Sequence, residues 1–80
     1  MEREAILEKL NDIFRDVFDD DCLEITEQTS ASDIEDWDSL THISLLAAIE
    51  DEFDVRFSMG QTVSMKNVGD MVSFLEGELN

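Results

Sequence analysis

Apolar residues recur at three- and four-residue spacing along the first part of the chain. The repeating positions are Ile6, Leu7, Leu10, Ile13, Phe14, Val17 and Phe18. This spacing lays a wide apolar stripe along one side of a helix, and it predicts a helix over residues 3–18. Three aspartates follow at 19–21. At a helix C-terminus they would oppose the dipole and repel one another, so we expect the helix to end there.

A polar segment from 19 to 37 separates this helix from the next apolar repeat. Loops of that length are uncommon in compact domains. Four apolar residues favour an ordered connection packed on the helices, with a short helical turn near 32–35. These residues are Leu23, Ile25, Ile34 and Trp37. The aspartate run lacks the spacing and the glycine of an EF-hand loop, so no specific metal site is expected.

A second helix is predicted to begin at Asp38 or Ser39 and to end near Asp54. Its apolar stripe comprises Leu40, Ile43, Leu46, Ala47 and Phe53, with Leu45 and Ile49 widening it. Leu40 is therefore expected to be a core residue. The acidic residues of the last turn are poorly placed for the helix dipole, which indicates a role other than stability.

Two shorter helices complete the pattern. One is predicted within 59–65, although Gly60 weakens it. Asn67 is expected to cap the last helix, whose apolar residues fall at helical spacing. They are Val68, Met71, Val72, Leu75 and Leu79. With no alternating strand pattern of useful length, the predicted fold is all-α: a small bundle of three main helices plus one short helix, with a long ordered first loop, in a single domain over 1–80.

Composition narrows the possible functions. The chain has 80 residues, of which 42% are hydrophobic, enough for a compact core. A large enclosed active site is not expected, because a domain of this size buries only about 60% of its unfolded surface. There are 21 acidic and 5 basic residues, and the formal net charge is -16. This charge repels nucleic acids and anionic membranes, and it attracts proteins that carry basic patches. We expect a monomer that other proteins recognise.

Cys22 is the only cysteine, which excludes an intrachain disulfide and a cysteine-based zinc cluster. It is expected to be a small buried hydrophobic residue. The N-terminal residues lack the continuous apolar core of a signal peptide, and no apolar run reaches membrane-spanning length. A cytoplasmic location without membrane insertion is therefore expected.

The segment EDWDSLTHISLL, residues 35–46, contains the candidate chemistry. Asp38 and Ser39 suit the cap of a helix, while Ser39 also suits the attachment of a group. His42 lies one helical turn from Ser39, which suggests a Ser-His catalytic pair. A catalytic triad also needs an orienting carboxylate and an oxyanion hole, so we disfavour an enzyme. His42 is expected to face solvent, with contact to a ligand or partner as the alternative.

The tripeptide Asp38-Ser39-Leu40 opens an acidic helix that ends in EDEFDVRF. Together with the first helix, the long acidic loop and the short final helix, it resembles the acyl carrier proteins over essentially the whole chain. The resemblance implies that Ser39, flanked by Asp38 and Leu40, receives 4'-phosphopantetheine through a phosphodiester. Acyl groups would then be carried as thioesters on the terminal thiol, and the protein would have no catalytic activity of its own.

The same resemblance implies partners and a surface that binds them. The partners would be a phosphopantetheinyl transferase, an acyl-loading ligase or acyltransferase, and a ketosynthase or other acyl-processing enzyme. The implied docking residues are Leu40, Ile43, Glu50, Asp51 and Asp54. For one set of apolar side chains, two interpretations stay open. Either they line a space between the helices that admits an acyl chain, or they form a filled core. That set is Leu46, Ile49, Met65, Val68, Met71 and Val72.

Some residues depart from the commonest family pattern. Asp36-Trp37 stands where fatty-acid-synthesis carriers usually have Gly-Ala, and Thr41 and Ser44 stand where those carriers have acidic residues. These departures favour a specialised polyketide, surface-polymer or lipid-modifying pathway. Two alternatives are a small acidic interaction or inhibitor protein, in which Ser39 is only a helix cap, and a carrier of amino acids. The second usually has Gly-Gly-His-Ser-Leu, which this chain lacks.

Overall fold

The computed structural model describes residues 2–65 and 67–79, apart from the side chains of 62–64. Four helices follow one another within these ranges: α1 Arg3–Val17, α2 Ser39–Phe53, α3 Met59–Ser64 and α4 Val68–Leu79. One 3₁₀ turn, Ala31–Asp33, lies in the long first loop. Across the described ranges there is no strand, and one isolated bridge pairs Ser30 with Asn67. The all-α fold is confirmed.

α1 buries the stripe that its spacing predicts. Ile6, Leu10 and Phe14 are fully buried against the other helices. The helix ends at Val17, and Asp19 adopts a left-handed conformation with φ of 51° that turns the chain away. Aspartate tolerates this conformation better than most residues do, so the aspartate run ends the helix as predicted.

The first loop packs on the helices at both of its halves. Ile25 and Trp37 are buried in the core. The Asn11 side chain on α1 forms two hydrogen bonds with the backbone of Ile25. Asn11 Oδ1 accepts the Ile25 N–H at 2.8 Å, and Asn11 Nδ2 donates to the Ile25 carbonyl at 3.4 Å. The Gly69 N–H at the start of α4 donates to the Glu27 carbonyl at 2.7 Å. The prediction of an ordered loop is confirmed at these positions.

α2 buries one part of its predicted apolar stripe and exposes the other. Its buried residues are Leu45, Leu46, Ile49 and Phe53. Leu40 is 77% exposed and Ile43 is 66% exposed, so placing Leu40 in the core was wrong. A helix turns about 100° per residue, which puts Leu40 half a turn away from Ile49, nine positions later. Because α2 has apolar residues on both sides, its spacing does not reveal which side is buried.

Cys22 is exposed, which corrects the expectation that it is buried. Its backbone N–H donates to the Asp20 carboxylate at 3.0 Å, in a turn that holds this part of the loop at the surface. Aspartate often bonds the backbone two residues ahead in this way. The local turn therefore outweighs the preference of a small apolar side chain for the core.

α4 closes the bundle. Its buried residues are Val68, Met71, Val72 and Leu75. The Asn67 side chain accepts the Asp70 N–H at 2.9 Å, the predicted cap of this helix. Arg3 links three parts of the chain, because it forms ion pairs with Glu27 in the loop and Glu76 in α4. The helices of the described ranges are too short or too polar to cross a membrane.

Candidate functional site at the start of α2

The cap of α2 is built from Asp38 and Thr41. The Asp38 carboxylate accepts the N–H groups of Leu40 and Thr41, each at 3.0 Å. The Thr41 hydroxyl accepts the Asp38 N–H at 2.7 Å and donates to the Asp36 carbonyl at 2.8 Å. The Thr41 N–H is the main cause that lowers the pKa of Asp38 below its ordinary value. These bonds fix the helix start without using the Ser39 side chain.

Ser39 is the first residue of α2, and its side chain is exposed. Its position brings the hydroxyl next to the first-turn N–H groups and the positive end of the helix dipole, where a phosphodiester is favoured. The cap does not bury the hydroxyl, so a large group attached to it meets solvent. The site therefore fits a phosphate-linked prosthetic group.

His42 lies next to Trp37, contrary to the expectation that it faces solvent. Trp37 Nε1 donates to His42 Nδ1 at 3.1 Å, and the two rings stack with their centroids 6.0 Å apart. Trp37 is itself buried, and it packs edge-on against Phe14 of α1 at 5.3 Å. Because Nδ1 accepts a hydrogen bond, the proton of the neutral ring is on Nε2. Nε2 already carries its proton and Nδ1 accepts the hydrogen bond from Trp37. Neither nitrogen can therefore take a proton from Ser39 while the Trp37–His42 bond exists.

A recess of about 450 Å³ opens at the surface beside Ser39. Its lining residues are Ala31, Trp37, Asp38, Ser39, His42 and Met65. This recess could not be predicted from the sequence, because Ala31 and Met65 come from segments other than α2. The apolar residues considered for an acyl-chain space are instead core residues, each at most 8% exposed. Among them only Met65 lines the recess.

The acidic residues at the end of α2 have different surroundings. Glu50 is half-buried, and its carboxylate accepts the Phe57 N–H at 2.8 Å. Glu52 pairs with Lys9 of α1 at 3.4 Å. Asp51 and Asp54 are exposed. Glu50 and Glu52 therefore make contacts within the fold. These contacts explain part of why acidic residues occupy a helix end where the dipole disfavours them.

An all-helical bundle with an exposed serine at the start of its second helix fits the class of proteins that carry a covalently attached prosthetic group. The family model described as the phosphopantetheine attachment site matches residues 8–75. That match spans most of the chain. The chain therefore belongs to the phosphopantetheine-binding family of acyl carrier proteins, and its cofactor is covalently attached 4'-phosphopantetheine.

Relatives and a solved structure agree with this membership. The acyl carrier protein of Lactobacillus acidophilus is 33% identical over 76 residues, which cover 95% of each chain. That of Lactococcus lactis subsp. cremoris is 38% identical over 72 residues, or 90% of this chain and 94% of the relative. The solution structure of the holo acyl carrier protein from Geobacter metallireducens superimposes with a TM-score of 0.86. It is 42% identical and covers 91% of this chain and 84% of that one.

Proposed function

We propose that residues 1–80 act as one acyl carrier domain and that Ser39 is the attachment residue. The observation that carries the proposal is the exposed Ser39 side chain at the start of α2, where Asp38 and Thr41 already satisfy the helix cap. Membership of the phosphopantetheine-binding family supports it. Asp38 and Leu40 flank the attachment residue, and the cap that Asp38 forms fixes it at the start of α2.

The attachment step uses coenzyme A as the donor. In a phosphopantetheinyl transferase, the Ser39 oxygen bonds to the phosphorus that carries the pantetheine, and adenosine 3',5'-bisphosphate leaves as the hydroxyl proton is removed. The helix N-terminus then lies against the new phosphodiester. When bound, the prosthetic group supplies a terminal thiol that carries acyl groups as thioesters. His42 is already bonded to Trp37, so we assign the catalysis to partner enzymes and none to this chain.

The exposed side of α2 is the proposed docking surface. Leu40 and Ile43 offer apolar side chains to solvent, and Asp51 and Asp54 supply exposed negative charge further along the helix. Glu50 adds charge beside them while also binding Phe57. A mixed surface of this kind suits transferases, loading ligases or acyltransferases, and ketosynthases that carry basic patches around an apolar centre. We place these encounters in the cytoplasm, with the carrier as a monomer.

We further propose a specialised pathway, such as polyketide, surface-polymer or lipid-modifying chemistry. Trp37 supports this assignment because it replaces a small residue before the attachment motif and forms a buried contact with Phe14 and His42. Thr41 also differs from the acidic residue usual at its position, and here it completes the helix cap. Trp37 and Thr41 therefore give the start of α2 contacts that Gly-Ala and an acidic residue would not make.

Attachment at Ser39 is tested by intact-mass measurement after incubation with a phosphopantetheinyl transferase and coenzyme A. The wild-type chain and Ser44→Ala should each gain one prosthetic group, while Ser39→Ala should gain none. Ser44 is a matched control because it is also an exposed serine on α2. Circular dichroism should show equal helix content in all three proteins. If Ser39→Ala is still modified, the attachment residue lies elsewhere; if no protein is modified, a small acidic interaction protein explains the chain better.

A further inference from the structure

The Trp37 ring is buried among aromatic rings, and its one polar group is bonded to His42. The ring centroid lies 5.3 Å from that of Phe14 and 6.4 Å from that of Phe18. The indole Nε1–H donates to His42 Nδ1 at 3.1 Å. A buried N–H group that loses its acceptor costs free energy, because water no longer satisfies it. The bond to His42 therefore helps to fix the orientation of the Trp37 ring.

His42 can accept this bond in only one of its two charge states. In the neutral ring Nδ1 carries a lone pair, whereas in the imidazolium ion both nitrogens carry hydrogen. Protonation would leave two N–H groups directed at one another across the 3.1 Å between Trp37 Nε1 and His42 Nδ1. Imidazole ordinarily changes its charge between about pH 5 and pH 8. The bond is therefore sensitive to mild acid.

The surroundings attract a protonated His42 ring but require it to turn. Asp38 lies one helical turn earlier, lines the same recess, and attracts a positive charge through its carboxylate. The face of the indole attracts a cation too, and the two rings already stack with an angle of 25° between their planes. Among the described residues that line the recess, those from the other segments are uncharged: Ala31 in the 3₁₀ turn, Trp37 in the loop and Met65 after α3. A protonated ring can keep both attractions only by turning Nδ1 away from Trp37.

We infer that the Trp37–His42 bond is a pH-sensitive switch at the entrance to α2. The bond forms while His42 is neutral, and it breaks and releases the Trp37 ring when His42 takes up a proton. Trp37 directly precedes Asp38, the cap that fixes where Ser39 lies, so a shift of the Trp37 ring moves the segment that positions Ser39. Loading of Ser39 should therefore slow in mild acid. This last consequence rests on the proposed function, whereas the change at Trp37 does not.

NMR spectroscopy on the unmodified protein tests the switch directly. Trp37 is the only tryptophan and His42 is the only histidine, so their ring signals are unambiguous. The pH is lowered from about 8 to about 5.5, which stays above the ordinary range of carboxylates near 4. The Trp37 Nε1–H signal should shift along a single titration curve whose midpoint equals that of the His42 ring signals. Circular dichroism should show constant helix content over the same range.

Two substitutions at His42 fix the switch in opposite states. His42→Asn keeps an acceptor, because Oδ1 is as many bonds from the backbone as Nδ1, and its amide does not titrate. Its Trp37 signal should stay constant with pH. His42→Phe keeps a ring for stacking but has no acceptor. Its Trp37 signal should already be shifted at about pH 8 and should not titrate.

A competition experiment tests the effect on Ser39. Equal amounts of the wild-type chain and His42→Asn are mixed with a phosphopantetheinyl transferase and coenzyme A, and intact masses distinguish the two products. Since both chains meet the same enzyme in one sample, its own pH dependence cancels. The wild-type share of the product should fall between about pH 8 and about pH 6.

The outcomes separate the switch from the proposed function. A Trp37 signal that stays constant while His42 titrates overturns the switch, and so does an equal pH response in His42→Asn. A constant wild-type share of the product overturns the coupling to Ser39. Chains that gain no prosthetic group at any pH overturn the proposed function, while the NMR titration still decides the switch.

Discussion

Among single residues, Asp38 has the most direct effect on the geometry of the site. Its carboxylate binds two backbone N–H groups of the first turn, which fixes where α2 starts and hence where Ser39 lies. The pKa of Asp38 is lowered because these hydrogen bonds, with that of Thr41 first, favour the charged form. A group with a lowered pKa in the folded state stabilises the fold above its ordinary pKa, and the contribution disappears as the pH falls through the folded value.

Asp38→Asn is therefore expected to destabilise the protein near neutral pH and to have less effect in acid. Asparagine still accepts the N–H groups but lacks the charge that strengthens these bonds. The ordinary pKa of Asp38 is 3.8, so the difference from wild type should begin to shrink as the pH drops below that value. Urea unfolding followed by circular dichroism at several pH values measures this. An equal difference at neutral and strongly acidic pH would show that the charge plays no part.

Gly69 gives a second prediction at this scale. A β-carbon at Gly69 would lie 2.8 Å from the Glu27 carbonyl oxygen, whereas at Gly77 in the same helix nothing lies within 4 Å. Gly69→Ala should lower the free energy of unfolding by about 1–3 kcal/mol, because the loop must move away from α4. Gly77→Ala should raise it by up to about 1 kcal/mol through helix propensity. Urea unfolding that shows a gain for both variants would contradict the close approach of loop and helix.

At the scale of elements, α2 shows what a periodic pattern can and cannot predict. The spacing predicts both ends of α1 and α2 and the start of α4 within about one residue of those observed, because a stripe of apolar residues marks each helix and a capping residue marks the start of α2 and α4. The predicted stripe of α2 contains all four of its buried residues, but it also contains Leu40 and Ile43, which are as apolar as Leu45 and Ile49 and are exposed. Only packing against the rest of the fold, with α1 as the main neighbouring helix, selects which of these residues are buried.

The site could be predicted only in part, because apolar spacing does not reveal contacts between distant segments. The Asp38-Ser39 cap is a local feature and could be read from neighbouring residues. The bond from Trp37 to His42 depends on the loop approaching α2, and the recess also needs Met65 from beyond α3. Contacts between distant segments leave no periodic signal in a single sequence.

The two faces of α2 should respond differently to the same truncation. Ile49→Ala removes a fully buried side chain and should cost about 2–5 kcal/mol of unfolding free energy. Ile43→Ala removes an exposed one and should change stability by no more than about 0.5 kcal/mol. If Ile43 belongs to the docking surface, its variant should nevertheless be loaded more slowly by the transferase. Chemical denaturation and loading kinetics on both variants measure these effects, and a large stability loss for Ile43→Ala would refute the observed orientation of α2.

The whole molecule is dominated by negative charge. Among the basic residues that the structure describes, Arg3, Lys9 and Arg15 each form an ion pair with an acidic residue. The 21 acidic residues far outnumber them, and the side chains are mostly at the surface. Repulsion among these charges should oppose folding, while the same charges should speed encounters with basic partners.

Added sodium chloride should therefore act in opposite directions on stability and on docking. Raising the concentration to about 0.5 M shortens the range of charge interactions to a few ångströms. The melting temperature should rise, because screened repulsion outweighs the small loss from exposed ion pairs. The rate of loading by the transferase should fall, since steering between opposite charges is screened as well. Calorimetry and loading kinetics provide the readouts, and a melting temperature that falls with salt would mean that the ion pairs outweigh the repulsion.

In the function proposed above, a single hydroxyl, that of Ser39, carries the prosthetic group. Its most direct test is fragmentation of the modified protein in a mass spectrometer, with enough backbone cleavage between Ser32 and Ser44 to locate the added mass. We predict that all of the added mass lies on Ser39 and none on the other serines or threonines of that segment. Added mass on Ser32, Thr41 or Ser44, with Ser39 unmodified, would contradict the account.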